Sequence, residues 1–128
     1  MSRKIISTTR APEALGPYSQ AVMHSGTLFV SGQIGLNPRT ALMAEGIEAQ
    51  AIQVIDNLEA VIQTAGGSLA DIVKLTVYLT DLIHFQLINQ IMKQRFTEPY
   101  PARAAIGVAA LPKDALVEID AIAFIDQD

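Results

Sequence analysis

The sequence contains no cysteine. That removes disulfides, thiolate catalysis, iron–sulfur clusters and cysteine-rich zinc sites. It has only two histidines, His24 and His84. Neither has a second ligand at motif spacing, so both are read as surface residues and no metal is expected. Basic residues are scarce: 9 Lys and Arg face 13 Asp and Glu, for a net charge of −4. Neutralising phosphates supplies most of the affinity for nucleic acid, so no nucleic-acid partner is expected. No stretch approaches the roughly 20 apolar residues of a membrane span. The first residues hold no apolar core of a secretory signal. No membrane partner is therefore expected, and the expected location is cytoplasmic. The basic and hydroxyl residues of the N-terminus have some transit-peptide character, but the segment reads as a short first strand. Neither G-x-G-x-x-G nor a Walker pattern is present, and Ser31 has no histidine at hydrolase spacing. No cofactor is expected.

What the chain does have is apolar residues, 50% of 128. That suffices for one domain, 1–128, with a core of its own. Short strands are read near Lys4–Ser7, Ala21–His24 and Thr27–Gln33, the last two joined by a Ser25-Gly26 turn. Ile47, Ala51, Val54, Ile55, Leu58, Val61, Ile62 and Ala65 recur at helical steps, and Gly66-Gly67 supplies the stop. Ile72–Leu79 alternates as a strand, with Val73, Leu75, Val77 and Leu79 on one face. Asp81 is placed as N-cap of a helix over 82–96. Ala102–Ala109 and Leu116–Ile125 are the last strands. The order β-β-β-α-β-α-β-β lets two helices cover one face of a six-stranded sheet. The last strand is apolar on both faces toward its end, so a second copy of the chain is expected to cover the other side.

Two charged residues stand out. Arg103 begins a strand of small residues and shares a face with Ala105 and Gly107 by strand period. A guanidinium with room in front of it suits a carboxylate; the alternative is an edge-strand arginine in a structural ion pair. Glu118 sits between Val117 and Ile119. A carboxylate among aliphatics is costly to bury unless it is paired or used. It could hold and activate a water, or it could pair with Lys74 or Lys113. Asp120, two residues on, is read as structural. Gly16-Pro17-Tyr18-Ser19-Gln20 and Ser31-Gly32-Gln33 form a third group, with glycines that allow close backbone approach to a ligand.

Together, Gly16-Pro17-Tyr18-Ser19-Gln20-Ala21, Ser31-Gly32-Gln33, Pro101-Ala102-Arg103, Leu111-Pro112-Lys113-Asp114 and Val117-Glu118-Ile119 resemble the Rid family, the reactive intermediate deaminases once called YjgF or L-PSP endoribonucleases. The resemblance spans about residues 4 to 125. It implies a chorismate-mutase-like α+β fold: a six-stranded mixed sheet with two helices on one face, assembled as a homotrimer with clefts between subunits. It also implies cofactor-independent hydrolysis of 2-imino or enamino acids to 2-oxo acids and ammonium. Carried over, Arg103 grips the substrate carboxylate, Glu118 directs water and Tyr18 completes the catalytic set. Gly32, Ser31, Phe85, Asn89 and Ala105 line the pocket. Many members carry cysteine where this chain has Ala105, which bears on substrate preference. Three alternatives stand beside this: a non-enzymatic regulatory trimer that binds a small carboxylate, a deaminase of another enamine such as an aminomuconate, and a ribonuclease, which the acidic charge disfavours.

Overall fold

A computed structural model describes residues 2–126. Six strands, β1 (Lys4–Ile6), β2 (Ala21–His24), β3 (Thr27–Ile34), β4 (Ile72–Leu79), β5 (Ala102–Gly107) and β6 (Val117–Phe124), alternate with two helices, α1 (Ile47–Thr64) and α2 (Phe85–Arg95). The strands form one sheet in the order β1-β2-β3-β6-β4-β5. Only β4 and β5 pair in parallel, as expected of two strands joined through a helix. The chain has the expected α+β architecture.

The apolar stripe of α1 lies on this sheet. Val54, Leu58, Val61 and Ile62 are fully buried against Leu28, Leu75, Val77, Val117 and Ile119. The helix ends as its glycines foretold. Gly66 takes φ 98°, and its N–H donates to Gln63 O while that of Gly67 donates to Ile62 O, both at 3.0 Å. This paired arrangement satisfies carbonyls that would otherwise be orphaned. At the second helix the expectation needs correcting. Asp81 does cap, accepting from the Ile83 N–H at 3.0 Å, but it caps a 3-10 turn over Leu82–His84, and the α-helix begins at Phe85.

Two bulges shape the sheet. One lies between Ile72 and Lys74 opposite β6. It turns Ile72 into the core and leaves Val73 39% exposed, reversing the face assigned to both by strict alternation. The other lies between Val30 and Gln33 on β3, at Ser31-Gly32. Three of the buried polar side chains act as clamps. Asn57 donates to Ile34 O and Leu36 O, Gln50 accepts the Leu116 N–H, and Gln20 bonds the Thr8 N–H and the Thr8, Ala11 and Pro12 carbonyls. Gln20 thereby fixes the loop before β2. Gln20→Ala strands these groups in a buried site and is expected to lower stability by about 2 kcal/mol, read from urea unfolding at fixed protein concentration.

The sheet face opposite the helices is uncovered in one chain. Val22, Phe29 and Ile122 lie side by side across β2, β3 and β6. Phe29 and Phe124 are more than half exposed. The apolar second face expected of β6 is thus present. Among the described residues, no helix is long and apolar enough to cross a membrane.

Candidate active site

The sheet register decides where the chemistry lies. Arg103 is level with Leu75 in the parallel β4–β5 pair, so it points to the face that carries the helices. There its Nη1 donates to Asn89 Oδ1 and contacts Met92 Sδ at 3.5 Å, and its guanidinium stacks 4.9 Å from the Phe85 ring centre. Phe85 and Asn89 are one helical turn apart on α2 and meet the same group, as their spacing requires. The aromatic face favours the cation. Among the described residues no carboxylate pairs with Arg103; the ion pairs are those of Arg95 with Asp56 and Glu59. The structural ion-pair alternative is therefore not what the fold uses. A cavity of about 500 Å³ opens beside Arg103, lined also by Gln86, Asn89, Lys93 and Tyr100.

One expectation about this strand is corrected. Ala105 and Gly107 do share the Arg103 face, but the space there is filled. Ala105 packs against the core, and a Cβ on Gly107 would sit 3.2 Å from Leu82 Cγ. The opening in front of Arg103 lies toward α2 and Tyr100 instead. Because β5 is the sheet edge, alternate backbone N–H groups along it face away from β4.

Glu118 lies on the other face. It is level with Tyr78 of β4 and Ile34 of β3, on the uncovered side with Asp120. A cavity of about 290 Å³ there is lined by Tyr18, Gly32, Lys113 and Glu118. Gly32 leaves room for the carboxylate: a Cβ at that position would come within 2.8 Å of Glu118 Cδ. Burial, and then the charge of Asp120, push the Glu118 carboxyl above its ordinary value. Neither Lys74 nor Lys113 forms an ion pair with it among the described residues. Ser31 ties the neighbouring loop down, its hydroxyl donating to Ser19 O at 2.6 Å. Tyr18 in that loop is 55% exposed and bends back through its N–H to Gly16 O at 2.8 Å.

The predicted residues therefore fall into two groups. Arg103, Asn89, Phe85 and Ala105 gather on the helix side of the sheet's β5 edge. Tyr18, Ser31, Gly32 and Glu118 gather on the open side near β3. A single chain does not bring the arginine and the glutamate to one cavity. A larger hollow of about 740 Å³ beside β1 includes Tyr18 but neither of those two. His24 is exposed and His84 half-buried; among the described residues no cluster of three potential metal ligands occurs. Sequence reasoning left two features out of the site: the Tyr78 hydroxyl, which donates to Asp120 Oδ2 at 2.8 Å, and Lys113, which lines the Glu118 cavity from a turn with φ 55°.

Known proteins resemble this chain in both sequence and fold. A family model described as Endoribonuclease L-PSP matches residues 8–125. A 2-iminobutanoate/2-iminopropanoate deaminase of Dermatophagoides farinae is 45% identical over 125 residues, covering 97% of this chain and 98% of that protein. The crystal structure of RidA from the Antarctic bacterium Psychrobacter sp. PAMC 21119 superposes with a TM-score of 0.94 at 50% identity, covering 95% of this chain and 99% of that one. E. coli TdcF with bound serine superposes with a TM-score of 0.92 at 44% identity, covering 96% and 99%. By sequence and by fold, the chain belongs to the Rid family, the group to which the Endoribonuclease L-PSP model corresponds.

Proposed function

We propose that this protein hydrolyses 2-imino and enamino acids to 2-oxo acids and ammonium, without a cofactor, in clefts between the subunits of a homotrimer. The observation that carries this reading is Arg103: a guanidinium fixed by Asn89 and Phe85, without a carboxylate partner among the described residues, at the rim of a cavity. Such a group is prepared for an external carboxylate. The deaminase name of a close relative and the serine bound by E. coli TdcF support a small amino-acid-like ligand.

The trimer is part of the chemistry. Arg103 and Glu118 lie on opposite faces of one sheet, so a cleft holding both needs two copies. The exposed Phe29 and Phe124 on the open face offer an apolar surface for such packing. In the cleft, Arg103 of one copy grips the substrate carboxylate through two N–H groups, and an edge N–H near Ala105 adds a donor. Glu118 of the next copy takes a proton from water as it attacks the C=N carbon. Tyr18 and the Gly32 backbone close the wall around the reacting carbon. The resulting carbinolamine expels ammonia. An iminium ion hydrolyses unaided, so positioning and one general base, worth about 10²–10⁴-fold, are enough.

The test is 2-oxo acid release from an amino acid dehydrated or oxidised in the same tube. The protein is expected to accelerate release, and semicarbazide, which captures free imine, to suppress the gain. Equal release with and without protein contradicts the reading; carboxylate binding without acceleration points to a regulatory trimer. Gly32→Ala tests the fit around the glutamate. The added methyl group displaces the carboxyl by about an ångström, and kcat is expected to fall by about 10–100-fold with the melting temperature little changed.

A further inference from the structure

The uncovered face carries a polar pair that the reaction above does not use. Tyr78 is in register with Glu118 across β4 and β6. Its hydroxyl nevertheless passes Glu118 by and donates diagonally to Asp120 Oδ2, 2.8 Å away. Glu118 and Asp120 are two residues apart on one strand and so share a face. A carboxylate is thereby tethered beside the glutamate at the reacting centre, in a sheet face that also carries Lys74, Thr76, Ile122 and Phe29.

We propose that Tyr78 and Asp120 are positioning residues that hold a negative charge against Glu118, so that Glu118 serves first as base and then as acid within one turnover. This rests on the hydrolytic reading. In the first step ionised Glu118 takes one proton from water, the C–O bond forms at the iminium carbon as the C=N π pair moves to nitrogen, and the neutral carbinolamine results. In the second, protonated Glu118 gives that proton to nitrogen. The C–N bond then breaks, an oxygen lone pair forms C=O, and the hydroxyl proton leaves by way of Glu118 to ammonia as ammonium. An ordinary carboxylate is a weak base that takes the proton reluctantly and loses it to solvent before the second step. The neighbouring charge makes Glu118 willing to keep a proton long enough to return it.

The electrostatics agree. Burial and Asp120 raise the Glu118 carboxyl, and acceptance by Asp120, burial and both carboxylate charges raise Tyr78, so the phenol stays a donor. The other charged or titratable groups on this side are Lys113 from the turn before β6, Tyr18 and Glu13 from the N-terminal loop, and Lys74, further along the same face of β4 and level with Ile122. In the assembled cleft Arg103 of a second copy joins them. Lys113 and that arginine favour the ionised form; Asp120 is the fixed opposing charge on the strand itself.

The decisive experiment is a carbon NMR titration of the Glu118 carboxyl in protein labelled at glutamate, run beside the pH profile of kcat/KM. Asp120→Asn removes the charge, and Tyr78→Phe frees the Asp120 side chain to swing toward solvent. In both, the Glu118 midpoint and the acid limb of the profile are expected to move to lower pH, with the larger shift in Asp120→Asn. Asp120→Glu restores a carboxylate and is expected to return the limb toward its original position. A Glu118 midpoint unchanged in both variants overturns the proposal, however much their rates or melting temperatures differ. If Asp120→Asn fails to fold, Tyr78→Phe decides alone. The titration reads the pair even if the wild-type protein releases no 2-oxo acid above background, so failure of the hydrolytic reading is seen separately.

Discussion

Arg103→Ala is expected to abolish accelerated imino-acid hydrolysis while the chain still folds. In the proposed reaction the guanidinium supplies charge-assisted hydrogen bonds to the substrate carboxylate, each worth about 1.5–3 kcal/mol. Losing a bidentate pair therefore lowers kcat/KM by about 10²–10⁴-fold. Folding is expected to survive because Arg103 is only half-buried and, among the described residues, pairs with no carboxylate that its removal would leave stranded. Asn89 Oδ1 and the Phe85 ring lose a partner, but Asn89, the polar one of the two, lines an open cavity where water replaces it. Arg103→Lys is expected to fail nearly as badly, because one ammonium cannot reproduce the planar fork or its stacking on Phe85. Steady-state 2-oxo acid release and a thermal melt on the same preparations separate the two effects. Full turnover by Arg103→Ala contradicts the assignment.

Glu118→Gln is expected to show the opposite pairing of function and stability. The amide keeps the shape but cannot accept a proton, so kcat falls by about 10²–10⁴-fold, while binding of a non-reactive carboxylate such as serine persists. Stability moves the other way. The folded chain holds the Glu118 proton more tightly than the unfolded chain does, since burial and Asp120 raise it. Folding is thus favoured fully below the unfolded value, near about pH 4. That advantage is lost as pH rises through the raised folded value. Glutamine does not titrate. The melting temperature of Glu118→Gln relative to wild type is therefore expected to rise as pH increases from about 4 through the raised folded value. A difference that stays flat or shrinks over that range contradicts the environment described for the glutamate. An inactive but more stable variant is the signature of a group kept for chemistry at the expense of the fold.

Much of the fold was legible because the apolar pattern carried it. The stripe of α1, the alternation of β6 and the glycine stop after Thr64 are local signals, and each predicted element is present. Misses occurred where a local rule met a distant partner. The bulge at Ile72 exists because of its pairing with β6, and strict alternation put Ile72 and Val73 on the wrong faces. Gln20, Gln50 and Asn57 are polar by composition yet buried, since each answers backbone groups far away in sequence. The same division runs through the site. Strand period alone put Arg103 with Ala105 and Gly107, but only the parallel register with Leu75 shows that this face lies under the helices. That Leu82 fills the space before Gly107 has no local signal. The Tyr78–Asp120 bond needs β4 beside β6, a pairing of distant segments. The one local hint was the Glu118-x-Asp120 spacing, which puts two carboxylates on one face of an apolar strand.

The central claim is that the arginine of one chain works with the glutamate of another. Co-expressing Arg103→Ala and Glu118→Gln chains under different tags, and purifying oligomers that carry both, tests it directly. In a cyclic trimer of mixed composition one cleft in three unites an intact Arg103 with an intact Glu118. The doubly tagged protein is therefore predicted to regain about a third of wild-type activity per oligomer, while each parent alone stays inactive. Doubly tagged oligomers as inactive as both parents contradict it.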